Sequence, residues 1–185
     1  MTLSEYSDLT VFERIPAKKK YLRYYLLGII DAESCFCVSL KKQESARFGW
    51  VLDPVFHVTQ HENNEVILQL LKRELRCGRV VVKHESPELK KFIVDNRRQI
   101  AEILIPFFQR YRLIAKWDDF QKFAEITEAL ENGEHRDREK LIYLVKKAYS
   151  MNMNGKQRRR KIEEIIKEIE DAGTSETIRQ TSGDG

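Results

Sequence analysis

The residues with the clearest capacity for chemistry lie in the segment 26–34, LLGIIDAES. This segment ends in two acids, Asp31 and Glu33, and it places Gly28 and Ala32 four residues apart. Residues at that spacing share one face of a helix, and small side chains there let a second helix approach closely. A symmetric dimer would pair this face with its own copy.

Such pairing would bring two Glu33 carboxylates together at a twofold axis. Like charges held close are unfavourable unless cations lie between them. Carboxylates that share metal ions beside a nucleic-acid surface are suited to the hydrolysis of phosphodiesters. The pattern alone leaves a second interpretation open, an amphipathic helix whose acids are merely solvated, because charged residues usually lie at the surface.

The sequence around this segment indicates which elements position it. A helix is predicted from Lys18 to Ala32, and Phe36, Val38 and Leu40 then alternate with polar residues, as in a half-buried strand. Three further strands and one helix follow. The predicted segments are a strand at 50–60, a helix from about residue 63 that Gly78 stops, and strands at 79–84 and 89–95. Pro54 predicts an edge or a bulge in its strand.

Apolar residues at helical spacing predict that the remainder of the chain is helical, with an interruption at Pro106 and a last helix around residues 162–169. The chain is therefore predicted to be an α+β protein whose four-stranded antiparallel sheet has one face on helices. The predicted organisation is an N-terminal extension at 1–17, one domain at 18–172 and a disordered tail at 173–185.

The opposite face of the predicted sheet is mostly polar or cationic. Such groups suit phosphates and base edges, although an ordinary solvated sheet face would have a similar composition. The candidate DNA contacts are Cys37, Ser39, Lys41, Gln43, Asp53, His57, Arg79, Val81, Lys83 and Lys91.

Composition and cysteine usage narrow the class of protein. The 185 residues suggest one domain with a possible appendage, and 33 Lys+Arg against 29 Asp+Glu give a net charge of +4. That weak basic excess fits a nucleic-acid binder, but many soluble enzymes share it. Three cysteines do not suggest a disulfide framework, which favours an intracellular, reducing compartment. Cys35-x-Cys37 lacks the spacing of a zinc site, so no zinc is predicted, and no apolar run predicts a membrane span.

Residues 26–34 resemble the motif that names the LAGLIDADG homing endonucleases, and the predicted order of elements (αββαββα) is similar to that of this family. One copy of the motif implies the homodimeric branch, and residues 51–61 and 93–111 are especially similar to members encoded in ribosomal-RNA introns. The resemblance covers about residues 18–130 and leaves the last helices unassigned. Leu27 and Ser34 depart from the motif's alanine and glycine, and Glu33 stands where aspartate is commoner.

The resemblance implies a function and a set of roles. The protein would cut both strands of a long, pseudo-palindromic DNA site, using Mg²⁺, with Ca²⁺ supporting binding without cleavage. Glu33 and the backbone carbonyl of Ala32 would be metal ligands, Gln60 would order water, and Lys116 would support water or the scissile phosphate. Tyr25, Gly28 and Ala32 would form the dimer interface. An RNA maturase that assists an intron, or a DNA-binding regulator whose cleavage has decayed, remain alternatives.

Overall fold

The computed structural model describes residues 18–152 and 160–181, with side chains to residue 172. The predicted extension at 1–17 and most of the basic run 156–161 lie outside this range. The elements, in chain order, are α1 (Lys19–Glu33), β1 (Ser34–Lys42), β2 (Trp50–His61), α2 (Glu65–Leu75), β3 (Arg79–Lys83), β4 (Ser86–Val94), α3 (the consecutive helical segments Arg97–Gln99, Ile100–Leu104 and Ile105–Arg110), α4 (Trp117–Glu131), α5 (Arg138–Tyr149) and α6 (Ile162–Thr181).

The four strands form one antiparallel sheet in the order β1-β2-β4-β3. Alternate residues of each strand are buried beneath the helices, because successive side chains of a strand point to opposite faces. The predicted α+β fold with a four-stranded antiparallel sheet is therefore confirmed. Among the described helices, none is both long and apolar enough to cross a membrane.

Pro54 lies within β2, where the sequence predicted an edge or a bulge. It pairs with Val38 of β1, whereas β4 pairs with β2 only from Phe56 to His61. The stretch of β2 around Pro54 therefore has a neighbour on one side only. Proline has no N–H to donate to a second neighbour, so this half-edge position tolerates it.

Phenylalanines join the sheet to the helices. Phe36 of β1 and Phe56 of β2 have ring centroids 4.9 Å apart, and Phe108 of α3 lies 5.5 Å from the first and 5.6 Å from the second. Phe120 and Phe123 of α4 also pack against Phe36. Tilted and edge-on pairs at these separations are the favourable arrangements for aromatic rings. The core thus fixes the start of β1 against both helices.

Gly78 stands in the connection between α2 and β3. The helix ends earlier than Gly78, because Arg76 takes the left-handed conformation with φ 57°. Gly78 itself has φ 72°, and a Cβ there would lie 2.7 Å from the carbonyl oxygen of Ile93. Glycine is therefore required at this position for two reasons, the close approach of the turn to β4 and the left-handed backbone.

Pro106 does not break α3 as the sequence predicted. The chain remains helical from Arg97 to Arg110, but Ile100–Leu104 forms a π-helical segment that ends two residues before the proline. A wider turn accommodates the missing N–H and the bulk of the proline ring without ending the helix. The interruption is therefore a change of helical type.

The last two helices pack beside the β1–β2 hairpin. Glu168 of α6 accepts a hydrogen bond from Lys42 at 2.8 Å, and the guanidinium of Arg160 lies 5.3 Å from the Trp50 ring centroid. The backbone of α6 continues to Thr181, past Gly173, where the sequence predicted the start of a disordered tail. One glycine costs a helix about 1 kcal/mol relative to alanine and need not end it.

Candidate metal and nucleic-acid site

The end of α1 presents the predicted metal ligands to solvent. Leu22, Leu26 and Ile30 bury one side of this helix, whereas Ala32 and Glu33 at its C-terminus are exposed. The last four carbonyl groups of a helix lack partners within it, so the Ala32 carbonyl belongs to a set that commonly accepts outside donors or ions. Glu33 is directly followed by Ser34, the first residue of β1.

Asp31 connects the end of α1 to the segment before α4. Its carboxylate accepts hydrogen bonds from the backbone N–H groups of Ile114, Ala115 and Lys116, each at 3.0 Å. Partial burial raises the pKa of Asp31, but these hydrogen bonds and the charge of Lys116 outweigh it and hold the pKa below its ordinary value. Asp31 thus acts as a structural acid that ties the end of α1 to the residues before α4.

The three predicted catalytic residues lie at the ends of three elements. Ser34 pairs with Val58, so the end of α1 lies beside the last residues of β2, which include Gln60. Lys116 precedes α4, and its charge acts on the thiol of Cys35 at the start of β1. Gln60 follows the parity of buried Val58, so it lies on the helix side of the sheet, opposite Lys90. The roles of Glu33, Gln60 and Lys116 remain predictions.

Most predicted DNA contacts share the sheet face that no helix buries. The register pairs Ser39 with Asp53, Lys41 with Val51, and Val81 with Lys91, and all six are at least partly exposed. We call this surface the open sheet face. By strand parity it carries Cys35, Cys37, Ser39, Lys41, Asp53, His57, Arg79, Val81 and Lys91.

Two predicted contacts fall outside this regular arrangement. Gln43 follows the last residue of β1 and belongs to the β1–β2 turn, where its backbone N–H donates to the Gly49 carbonyl. Lys83 follows a register shift in β3 and pairs with Ser86. Strand alternation therefore does not assign either residue to the open sheet face, because such irregularities break the two-residue period. Their contact with DNA remains a prediction.

Cations on the open sheet face are partly balanced by acids. Lys41 forms an ion pair with Asp53, and the Arg79 guanidinium donates two hydrogen bonds to the Asp95 carboxylate, at 2.5 and 2.6 Å. Burial lowers the pKa of His57, and the nearby charge of Lys91 lowers it further, so its imidazole is neutral at neutral pH. The face thus combines cations for phosphates with donors and acceptors for base edges.

Two residues that matter to this region escaped the sequence analysis. Asp95 directly follows β4 and holds Arg79, and no pattern in the sequence joins positions 16 residues apart. Asn152 follows α5, donates its side-chain amide to the Phe36 carbonyl at 2.8 Å, and accepts a contact from the Cys35 thiol at 3.8 Å. Its φ of 49° lies in the left-handed region, which asparagine adopts more readily than most residues. That preference does not indicate which residues its side chain contacts.

The outer side of α1 is an exposed surface of tyrosines and one glycine. Tyr21 and Tyr24 are each 57% exposed and Tyr25 is 47% exposed, although tyrosine is amphipathic and commonly buries its ring. A Cβ added at Gly28 would meet nothing within 4 Å. We call this surface, formed by Tyr21, Tyr24, Tyr25, Gly28 and Ala32, the outer α1 face. The single chain therefore gives no packing reason for glycine at position 28.

Comparisons with known proteins agree on one family of enzymes. The family model described as LAGLIDADG endonuclease matches residues 26–127. Homing endonuclease I-ApeII of Aeropyrum pernix is 38% identical over 152 residues, which make up 80% of this chain and 90% of that protein.

Solved structures extend the likeness to protein–DNA complexes. An archaeal intron-encoded homing endonuclease, I-Vdi141I complexed with DNA, has a TM-score of 0.79 at 33% identity, covering 85% of this chain and 99% of that one. I-SmaMI, bound to an uncleaved DNA target in the presence of calcium ions, has a TM-score of 0.66 at 28% identity. That match covers 70% of this chain and 44% of I-SmaMI.

Proposed function

Because the chain belongs to the LAGLIDADG endonuclease family, we propose that this site-specific DNA endonuclease acts as a homodimer with divalent metal held at Glu33. The observation that carries the proposal is the position of Glu33. It is exposed, it ends α1, and the first strand of the open sheet face begins at the next residue. A carboxylate there lies next to the surface that would hold the DNA.

The donors at the end of α1 fit a hard divalent cation such as Mg²⁺. Glu33 offers carboxylate oxygens, and Ala32 offers a carbonyl of the last helical turn. A bound divalent cation would supply an activated water and stabilise charge on the phosphate oxygens. Ca²⁺ prefers the same oxygen donors but tolerates looser geometry, so it should support DNA binding without cleavage.

Other residues of the chain would arrange the reacting groups. The Gln60 amide can both donate and accept, which suits it to orienting a water molecule. Lys116 carries a positive charge beside the start of β1 and can offset charge on the scissile phosphate. Asp31 acts only through Lys116, because it fixes the backbone of residues 114–116. Asp31 is therefore a positioning residue.

The outer α1 face would form the dimer interface. Gly28 leaves open space in which a partner backbone could pack, and the exposed tyrosines supply apolar area. A twofold axis through this face would place two Glu33 residues, and two copies of the open sheet face, on either side of it. Two equivalent sheets would read two half-sites, which suits a long and nearly palindromic target.

The proposal is tested by selecting cleaved sequences from a library of randomised duplex DNA. The purified protein should release double-strand breaks at one family of nearly palindromic sites with Mg²⁺, and none with EDTA. Selective retention of DNA without breaks would support the decayed-cleavage alternative. Cleavage that continues in EDTA would overturn the metal site. A separate measurement of binding to group I intron RNA would test the maturase alternative, which stays a prediction.

A further inference from the structure

Two thiols and one imidazole meet on the open sheet face. Cys35 and Cys37 are two residues apart in β1 and so share a face, and the register places His57 of β2 directly opposite Cys35. The two Sγ atoms and a ring nitrogen of His57 all lie within 4.8 Å of one another. Cys-x-Cys lacks the usual spacing of a zinc site, so the sequence predicted none. The third group comes from the neighbouring strand, which that spacing does not indicate.

The surroundings leave this cluster sheltered but accessible. All three residues are half-buried. The Cys37 thiol lies 3.4 Å from the Val55 carbonyl, which accepts its hydrogen bond, and the Cys35 thiol lies 3.8 Å from Oδ1 of Asn152. Both contacts are long and weak, as expected for sulfur donors. The two thiols also interact with each other, and metal bonds to both sulfur atoms would replace these contacts.

We propose that Cys35, Cys37 and His57 bind one thiophilic divalent cation of the Zn²⁺ type. Two thiolates and a neutral imidazole are ligands that Zn²⁺ prefers, and three protein ligands leave a fourth position for water. Binding releases two thiol protons, so two thiolates balance the charge of the cation. In a tetrahedral zinc site the ligand atoms are about 3.5–3.8 Å apart, so this cluster needs to contract by about 1 Å.

This site differs in chemistry from the carboxylate and carbonyl at the end of α1. Glu33 and Ala32 offer hard oxygen donors, which Mg²⁺ requires, whereas thiolates select softer ions. A cation bound by the cluster would also occupy Cys37 and His57, two residues of the open sheet face. We therefore expect Zn²⁺ and DNA to compete. This second step rests on the proposed function, whereas metal binding by the cluster does not.

Cobalt absorption of the reduced full-length protein, without DNA, tests metal binding directly. Titration with Co²⁺ should produce thiolate-to-metal charge-transfer absorption that saturates at one ion per chain. Cys37→Ser should abolish this absorption, and His57→Gln should weaken binding while thiolate absorption persists. Cys77→Ala, which removes the buried thiol outside the cluster, should leave the spectrum unchanged. No thiolate absorption in the wild type, or an undiminished signal in Cys37→Ser, would overturn the site.

DNA affinity measured in Ca²⁺, with and without Zn²⁺, tests the competition. Saturating Zn²⁺ should weaken DNA binding by the wild type about tenfold, within the usual range for coupled sites. Cys37→Ser should lose this sensitivity, whatever its own affinity for DNA. Equal inhibition of both proteins would overturn the competition, because zinc would then act elsewhere. If the protein bound no DNA at all, the proposed function would fail while the cobalt result would still decide the metal site.

Discussion

At the scale of single residues, Asp31 ties the end of α1 to the segment that precedes α4. It accepts hydrogen bonds from the backbone N–H groups of residues 114–116, which immediately precede α4. Asp31→Asn removes the charge that strengthens these hydrogen bonds. We expect the free energy of unfolding at pH 7 to fall by about 1 kcal/mol, a value limited by partial exposure to solvent.

The pH dependence of this loss gives a sharper prediction. The folded pKa of Asp31 lies below its ordinary value of 3.8, so its stabilisation is present above pH 3.8 and disappears as the pH falls through the folded pKa. Urea unfolding at pH 7 and at pH 2.5 should therefore show a smaller difference between wild type and Asp31→Asn at the lower pH. Asp171→Asn, a substitution at an exposed acid of α6, is the control. An equal difference at both pH values would contradict the account.

Arg79 allows a test of whether the open sheet face binds DNA. We expect Arg79→Ala to weaken DNA binding, because one exposed guanidinium is lost from the surface that would face the phosphates. If the lost contact is to a phosphate, the dependence of the logarithm of affinity on the logarithm of salt concentration should fall by about one unit.

The control for Arg79 is Arg98→Ala. Arg98 is also exposed and paired with an acid, Glu102, but it lies on α3 in the helical layer. Fluorescence-anisotropy titrations at several salt concentrations would measure both variants. Equal effects of the two substitutions would mean that the open sheet face does not hold the DNA and that the charge change alone accounts for the loss.

At the scale of elements, the outer α1 face carries the prediction about assembly. Gly28→Leu should leave the chain folded, because no atom lies within 4 Å of a Cβ at this position, and leucine favours helix over glycine by nearly 1 kcal/mol. The bulk of leucine should instead keep a second α1 at a distance and dissociate the dimer. Sedimentation velocity would measure the change, with Gly28→Ala as the smaller substitution.

A change in mass could reflect a lost interface or a destabilised chain. Thermal unfolding at concentrations where the protein is monomeric separates these two explanations. An unaltered or higher melting temperature for Gly28→Leu, together with a lower mass, would support the interface. A wild-type protein that sediments as a monomer at high concentration and still cuts duplex DNA would contradict it.

The elements that a local pattern encodes were predictable. Two-residue alternation predicted the strands and their buried faces. Local pattern failed where the backbone departs from a regular repeat. The register shift before Lys83 and the π-helical segment before Pro106 both depend on tertiary packing, which periodicity does not describe.

Contacts between elements were the part that the sequence could not provide. The Cys35–Cys37–His57 cluster depends on the β1–β2 register, and the Asp31 hydrogen bonds join residues more than 80 positions apart. The resemblance to a family supplied Gln60 and Lys116, since nothing in their spacing relates them to Glu33. The structure places their elements at the same end of the sheet, which is what the predicted roles require.

At the scale of the whole molecule, the helices leave two surfaces with different character. The core lies between the sheet and the helices. The side of each strand that points away from the helices contributes to the open sheet face. The outer α1 face begins where that sheet begins, at the junction of Glu33 and Ser34. A dimer through α1 would therefore align two reading surfaces with two carboxylates between them, which is the arrangement for cutting both strands of one site.

Replacement of Glu33 by glutamine tests this account most directly. Glutamine keeps the size of glutamate but is a poor ligand for a hard cation, and it removes one negative charge per subunit. Cleavage of the selected DNA site should collapse, whereas binding without metal should remain level or strengthen, because less negative charge opposes the phosphates. Glu128→Gln, an exposed acid on α4, should change neither.

The decisive measurement pairs gel-shift affinity in Ca²⁺ or EDTA with cleavage of a supercoiled target plasmid in Mg²⁺, for the wild type and both variants. We predict that Glu33→Gln binds the target at least as tightly as wild type without metal and leaves the plasmid supercoiled. Robust Mg²⁺-dependent cleavage by Glu33→Gln would mean that the metal is held elsewhere and would contradict the account.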